Sequence, residues 1–418
     1  MHRLGPLFAL LGLASTSHAS AFDKAASLVD CLAKAGVPVD ADGSPDYKLD
    51  ATPFNLRLNY TPVAVAAVTT VKHVQDAVAC AREIGVKANA KCGGHSYASF
   101  GLGGEDGHLV IEMTRMNKVV LDNTTGIATA EGGTRLGHLA WELYNQGKRR
   151  SVMAHAQGEL FTLHRYTTRV PKHRLTRYSV GVGGHVLHGG YGVSSHTRLA
   201  LDWLIGATIV LANSTMVNCS ETENADLFWA LRARAGRWAS RFVNLEGLYY
   251  GDKEGLQATL APLVKKTNAT ALAQTGGWLD QHETFYSTSL YTNALDETQL
   301  ETFIDLHGGE NSAVSKPSVD STSYAHRDYL LMYLLYDRVD KGVYPTNGHT
   351  IMENFVSNIT QGMQKPDWGM YINYPDSRLD QTDAQTNYWG SHLAKLQAVK
   401  KAVDPDDVFH YPQGILPT

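Results

Sequence analysis

Two glycine-rich stretches constrain this chain more than any other feature. Residues 91–108 read KCGGHSYASFGLGGEDGH, six glycines in eighteen, with His95 between a Gly-Gly pair and Ser-Tyr. Residues 179–192 read SVGVGGHVLHGGYG. A backbone this bare can enter φ > 0 and lets a ligand approach N–H groups that a Cβ would block. Successive exposed N–H groups form a concavity suited to phosphate oxygens. Either stretch alone reads equally well as a tight turn, but two in one region point to a large phosphate-bearing cofactor. Residues 181–186 lack the third glycine of G-x-G-x-x-G and a long preceding strand, and there is no Walker A lysine, so the common dinucleotide and nucleotide loops fit poorly. His185 and His188 come with no third zinc ligand, and no metal site is expected.

The flanking segments give the class. Residues 70–84 form an amphipathic helix pattern with Val71, Val74, Val78 and Ala81 on one stripe, closed by Gly85. VKANAK then makes a short strand that runs into the first glycine stretch. Residues 108–116 alternate as a strand, and 139–146 read as a helix. After the second stretch, LIGATIVLAN predicts a buried strand and ENADLFWALR a helix with Phe228 and Trp229 inward. Alternating strands and helices to about residue 232 argue for α+β or α/β in this half. From 244 to 376 the composition turns to Tyr, Thr, Trp and Asn, which marks a second domain. A helix at 391–403 stops at Asp404-Pro405. At 418 residues and 43% hydrophobic, the chain can bury two cores.

The compartment is also legible. Residues 1–21 hold one early cation, the apolar run LGPLFALLGLA and small-x-small sites, and read as a secretory signal. No other stretch is long and apolar enough for a membrane helix. Glycosylation sequons begin at Asn59, Asn123, Asn213, Asn218, Asn268 and Asn358. Of the four cysteines, Cys31 and Cys80 each lie on a helical pattern and are the candidate disulfide. A net charge of −4 leaves no whole-protein basic field for nucleic acid.

GGHSYASFGLGG, GVGGHVLHGGYG, LDWLIGATIVLANSTMV, DLFWALR, NYWGSHLAKLQ, the Tyr371-Ile372-Asn373-Tyr374 box and the end KAVDPDDVFHYPQGI carry a resemblance. The chain resembles the berberine-bridge-enzyme-like FAD-linked oxidases of the vanillyl-alcohol-oxidase superfamily, and within them the fungal gluco- and chitooligosaccharide oxidases. The resemblance implies an α+β fold: a PCMH-type FAD-binding domain at 22–243, a substrate domain with an antiparallel sheet at 244–377, and a C-terminal segment at 378–418 that completes the FAD domain. It implies FAD bonded covalently to His95 through the flavin 8α carbon. Gly93, Gly94 and Ser96 would contact the pyrophosphate, and Gly183, Gly184 and Gly192 would line the other side. Tyr374 would be the base that takes the C1 hydroxyl proton of a reducing-end sugar, with Asp305 assisting. A phenol with an ordinary pKa of about 10 needs such help. Tyr97 and Tyr371 would stack on sugar rings. The implied reaction converts an oligosaccharide to a lactone and O2 to H2O2, in a secreted monomer. Two alternatives stay open: a secondary-metabolite oxidase of the same fold, and a non-catalytic secreted glycoprotein or defective gene model.

The chain departs from that family in two places. Where the relatives have a cysteine bonded to flavin C6, this chain has Ala154-His155-Ala156-Gln157-Gly158, so the second covalent link is absent. Residues 159–178 follow with five cations and one acid, which reads as a translated intron or shifted frame rather than a nucleic-acid patch or a surface insertion. After DLFWALR the family's glycine turn and strand give way to Arg232, Arg234, Arg237 and Arg241, and the substrate domain is truncated. A transcript sequenced across residues 150–250 is expected to differ from this reading; an identical transcript makes both departures genuine.

Overall fold

The computed structural model describes residues 21–40, 43–44, 46–146, 179–191, 198–232, 299–338, 343–365 and 367–418, with a few positions between 254 and 261. Residues 1–20 of the expected secretory signal, residues 154–178, Gly192, Arg234, Arg237 and Arg241 lie outside the described residues, as does most of 244–298.

Helix α1 (Ala21–Lys34) carries Asp23 in its first turn and Lys34 in its last, which complements the helix dipole. Strand β1 (Val39–Asp40) and a single turn, α2 (Tyr47–Asp50), lead to β2 (Ala64–Ala67). Helix α3 (Val71–Ile84) starts on Thr70, whose hydroxyl accepts the His73 N–H, and ends on Gly85 in the left-handed region at φ 69°. Strands β3 (Ala88–Lys91) and β4 (Leu109–Glu112) complete a sheet of order β1-β2-β4-β3. β4 runs parallel to both β2 and β3, whereas β1 is antiparallel to β2. Every residue of β2 and β4 is buried, as parallel strands covered on both faces must be.

Two clusters hold this layer: Val65 and Val110 pack with Leu102 in a small one, and the main core covers the other face. Leu28 and Leu32 of α1 pack with Val78 and Ala81 of α3, and with Leu109 and Ile111 of β4. Each fully buried leucine contributes about 1.5–3 kcal/mol. The inward face of α3 is Ala77, Val78, Cys80 and Ala81. Val71, expected on that stripe, is 38% exposed. Small side chains replace it at the contact and let the helix approach closely. Cys31 and Cys80 are bonded, with Cα atoms 5.9 Å apart, and staple α1 to α3.

The hairpin β5 (Val119–Leu121) and β6 (Ala128–Ala130) precedes α4 (Leu136–Asn145). Residues 182–187, expected as loop, form a short helix, α5 (Val182–Leu187), containing Gly183 and Gly184. Glycine disfavours helix by propensity; here the turn is held by tertiary contacts, with the Val182 N–H on the Thr134 carbonyl at 2.9 Å. Strand β7 (Gly206–Val210) pairs with β8 (Met216–Ser220) in a two-stranded sheet. It was expected to be buried, yet none of its residues is fully covered, because only part of the strand meets the main core, through Val210. Helix α6 (Ala225–Ala230) turns Phe228 and Trp229 inward as anticipated.

The second half contains an antiparallel pair, β9 (Gln299–Leu306) and β10 (Leu331–Arg338), followed by α7 (Gly348–Ile359), α8 (Gln381–Trp389) and α9 (Leu393–Val403). Buried polar contacts tie the halves. Arg327, fully buried, pairs with Asp202 at 2.5 Å, and the Trp229 indole N–H donates to the Asp320 carbonyl at 2.8 Å. The tail returns to the first sheet, where the Ala88 N–H donates to Val408 O at 2.9 Å and Asn89 reaches His410 O at 2.7 Å.

The disulfide closes a loop of 49 residues' separation. Replacing both cysteines by alanine is expected to lower unfolding free energy by roughly 2–4 kcal/mol in a urea titration.

Candidate functional site

β3 delivers the chain directly into the first glycine stretch. At Gly93 there is no room for a side chain: an added Cβ would lie 2.3 Å from Gly181 N and 2.5 Å from Ser179 O. The reverse holds at Gly181, where a Cβ would meet Cys92 Sγ at 2.4 Å and Gly93 N at 2.5 Å. The two stretches, far apart in sequence, therefore touch backbone to backbone. Gly94 takes φ +71°, and beneath it runs the Lys91 side chain. Lys91 is paired with Glu112 on β4, their side chains 8% and 1% exposed. Glu112 also accepts the Thr114 N–H at 2.9 Å.

A third segment joins them. The Thr134 carbonyl accepts the Val182 N–H at 2.9 Å and the Cys92 thiol at 3.4 Å. The Thr134 hydroxyl is buried with no hydrogen-bond partner among the described residues. An orphaned hydroxyl at the meeting of three glycine-containing segments is what an oxygen-rich ligand would satisfy. Gly184 faces open space on the same turn.

His95 is half-buried. Its Nε2 lies 2.7 Å from Ser179 Oγ, and Phe54 stacks on its ring at 4.7 Å. Burial, aided by the Arg135 guanidinium, pushes its pKa down to about 4, so the imidazole is neutral across the physiological range. A neutral imidazole has a nucleophilic nitrogen, which fits covalent attachment to an electrophilic carbon. Burial pushes the Cys92 thiol in the unreactive direction, upward.

From His95 a run of rings leads away. Phe54 lies 5.7 Å from Tyr97, Tyr97 stacks on Tyr374 at 6.0 Å, and Tyr374 meets Tyr371 edge-on at 4.8 Å. Tyr371 is almost fully buried, and its oxygen receives the Asn373 amide at 2.9 Å and the Tyr191 N–H at 3.2 Å. Asn373 also reaches the His188 carbonyl at 3.2 Å, which ties the tyrosine box to the second glycine stretch.

The structure thus brings Gly93, Gly94, His95, Tyr97, Gly183, Gly184, Tyr371 and Tyr374 to one region. Ser96 serves its own turn, its hydroxyl accepting the Phe100 N–H at 3.3 Å. Asp305 pairs by backbone with Met332, which packs against Tyr371. The Asp305 side chain and Gly192 lie outside the described residues. His185 and His188 join no group of three or more potential metal ligands among the described residues. Sequence reasoning missed Phe54, Thr134, Arg135, Lys91 with Glu112, and the contact of Ser179 with His95. Of these Ser179 and Lys91 had a signal, each as the first residue of a glycine stretch.

Residues 62–157 match the FAD binding domain family, and residues 370–416 match the berberine and berberine-like family. The chain is 39% identical to the xylooligosaccharide oxidase of Thermothelomyces thermophilus over 98% of its own length and 97% of the relative's. It is 35% identical to the chitooligosaccharide oxidase of Gibberella zeae, with 98% of each covered. A solved structure concerned with the functional roles of the 6-S-cysteinyl, 8α-N1-histidyl FAD in glucooligosaccharide oxidase of Acremonium strictum superposes with a TM-score of 0.80. It is 32% identical and covers 94% of this chain and 99% of that one. The alignment to the xylooligosaccharide oxidase runs over 509 residues against 418 here, so the difference in length falls inside the chain.

Gly181→Ala is expected to lower the thermal midpoint by several degrees, whereas Gly184→Ala, with nothing within 4 Å, is expected to leave it unchanged or raised. Thermal unfolding of the two variants checks the contrast.

Proposed function

Because this chain belongs to the berberine-like FAD-linked oxidoreductases and has their PCMH-type FAD-binding fold, we propose that it is a secreted oxidase of reducing-end oligosaccharides. The reaction converts the anomeric C1 hydroxyl to a lactone, which water opens to the aldonic acid. The observation that carries this reading is the run of rings from His95 through Phe54 and Tyr97 to Tyr374, which joins the proposed flavin anchor to the proposed base.

FAD would be held covalently by His95, and Gly93, Gly94, Ser96, Gly183, Gly184, Gly192 and Thr134 would line the place for its phosphates. With no cysteine at residues 154–158, His95 is the single covalent tether. FAD, when bound, supplies the two-electron acceptor and its reoxidation by O2, which yields H2O2. Tyr374 takes the C1 hydroxyl proton, and Asp305 supports it. Tyr97 offers a ring face to the sugar; Tyr371, expected to stack on a sugar ring, is only 2% exposed and instead braces Tyr374 edge-on, its oxygen fixed by Asn373 and the Tyr191 N–H. Relatives named for xylo-, chito- and glucooligosaccharides support an oligosaccharide as substrate.

Secretion and a monomeric state belong to the same reading. The described sequon residues Asn59, Asn123, Asn213, Asn218 and Asn358 are all exposed. No helix among the described residues is long and apolar enough to cross a membrane. The internal shortening favours a second reading, a secreted glycoprotein of this fold without catalysis.

Purified protein is expected to release H2O2 with cello-, xylo-, chito- or malto-oligosaccharides and to keep its yellow colour after acid precipitation. A colourless protein supports the second reading. Tyr374→Phe is expected to lower kcat by about 10²–10⁴-fold, the usual contribution of a positioned base; wild-type turnover in that variant removes Tyr374 from the role. His95→Ala is expected to lose all acid-stable flavin.

A further inference from the structure

We propose that Ser179 is a positioning residue for the flavin linkage: its oxygen accepts Nε2–H of His95, leaving the Nδ1 lone pair to bond the flavin, while Phe54 fixes the ring plane. The inference rests on the reading of His95 as the flavin anchor.

Three contacts restrict His95. Ser179 Oγ lies 2.7 Å from Nε2. Phe54 covers one ring face at 4.7 Å with an interplanar angle of 29°. Gly93 packs the preceding backbone against Gly181 and the carbonyl of Ser179 itself, so the hydroxyl and the histidine are carried by touching chains. Phe54 is in turn held. Its neighbour Asn55 donates to the Tyr97 carbonyl at 2.7 Å and accepts the Arg57 N–H at 3.3 Å, and the Arg57 guanidinium lies 3.9 Å over the Tyr344 ring.

The tautomer follows from hydrogen-bond accounting. A neutral imidazole carries one N–H and one lone pair, and the partner of one nitrogen decides the state of the other. A serine hydroxyl can donate or accept. Nδ1 has no hydrogen-bond partner among the described residues, so a proton there would find no protein acceptor. Placing the proton on Nε2 gives it Ser179 and leaves Nδ1 as the nucleophile.

The linkage step then balances. A bond forms between Nδ1 and the flavin 8α carbon, and one C–H bond at that carbon breaks. The Nε2 proton and the C–H proton leave together with two electrons. Dioxygen, the oxidant of the proposed reaction, takes both protons and both electrons as H2O2. Ser179 Oγ is the first acceptor on the path of the Nε2 proton.

The test compares full-length Ser179→Ala, Ser179→Thr and Phe54→Ala with wild type. Acid-stable flavin is followed by intact mass, and the linked nitrogen by NMR of the flavinyl peptide. Bound FAD before acid and thermal unfolding serve as controls. Ser179→Ala is expected to bind FAD but to link it about 10–100-fold more slowly, by analogy with the loss of an orienting partner of a metal-ligating histidine, or with part of the product on Nε2. Ser179→Thr, which keeps the hydroxyl, is expected to restore rate and site, and Phe54→Ala to slow linkage. If Ser179→Ala does not fold, Ser179→Gly replaces it, with the same expectation. Wild-type rate and nitrogen in a folded variant lacking the hydroxyl overturns the inference while His95 stands as anchor. Equal defects in the Ala and Thr variants overturn it as well. Wild-type protein without acid-stable flavin, or His95→Ala retaining it, removes the anchor and the inference together.

Discussion

The site depends on one place where two backbones meet with nothing between them. Gly93 and Gly181 approach so closely that a single methyl on either would drive the segments apart. That contact sets everything next to it. It presents Ser179 to His95, starts α5 against the Thr134 carbonyl, and places Gly189 beneath Tyr371, where a Cβ would sit 3.1 Å from the ring. Hydrophobic packing could hold these segments near one another with side chains of many shapes. Only the absence of side chains lets three stretches of backbone form one polar surface, because amides cannot be brought that close over a Cβ.

A second constraint is that the site is assembled from both ends of the chain. Phe54 and Asn55 come before the first parallel strand, and Tyr371 and Tyr374 come after α7. The C-terminal tail closes this arrangement by lying beside β3, with Val408 in the main core and Tyr411 against Phe100 at 4.4 Å. The two family matches, at 62–157 and 370–416, are the parts that this closure brings together. The length difference from the relatives falls between the ends of the chain, and the four-stranded sheet that leads to His95 is built from residues 39–112.

What could be read in advance follows from which physical demands dictate residue type. Close backbone approach demands glycine, so both stretches were legible, and a helix stripe bearing a cysteine made the Cys31–Cys80 pair legible. The Phe54 and Ser179 contacts with His95 were not, since any aromatic or hydroxyl residue is locally ordinary and its meaning arises only when distant segments touch. The same reason explains the errors. α5 contradicts the propensity of its two glycines because Thr134 and the Cys92–His95 segment hold it. β7 reads as a core strand from its run of apolar residues, but local pattern cannot say that just one end would find a core. Asp305 is intermediate: its strand is in register with the tyrosine cluster through Met332, a relation no spacing rule expresses.

The buried Lys91–Glu112 pair is harder to justify by stability alone. Removing two charges from water costs several kcal/mol each, and an apolar pair of similar volume is often at least as stable. Its position supplies the reason. The Lys91 stem fills the space under Gly94 and Gly101, where the loop has no side chains of its own. An aliphatic residue could fill that volume, but it would be free to choose among rotamers. Glu112 removes the choice by fixing the ammonium, and the Thr114 N–H fixes Glu112 in turn. The loop that carries His95 is thereby referenced to β4, one of the two interior strands of the sheet. A glycine-rich loop is made rigid here by a charged side chain from the strand that feeds it, and the desolvation cost is offset by a defined position for the imidazole.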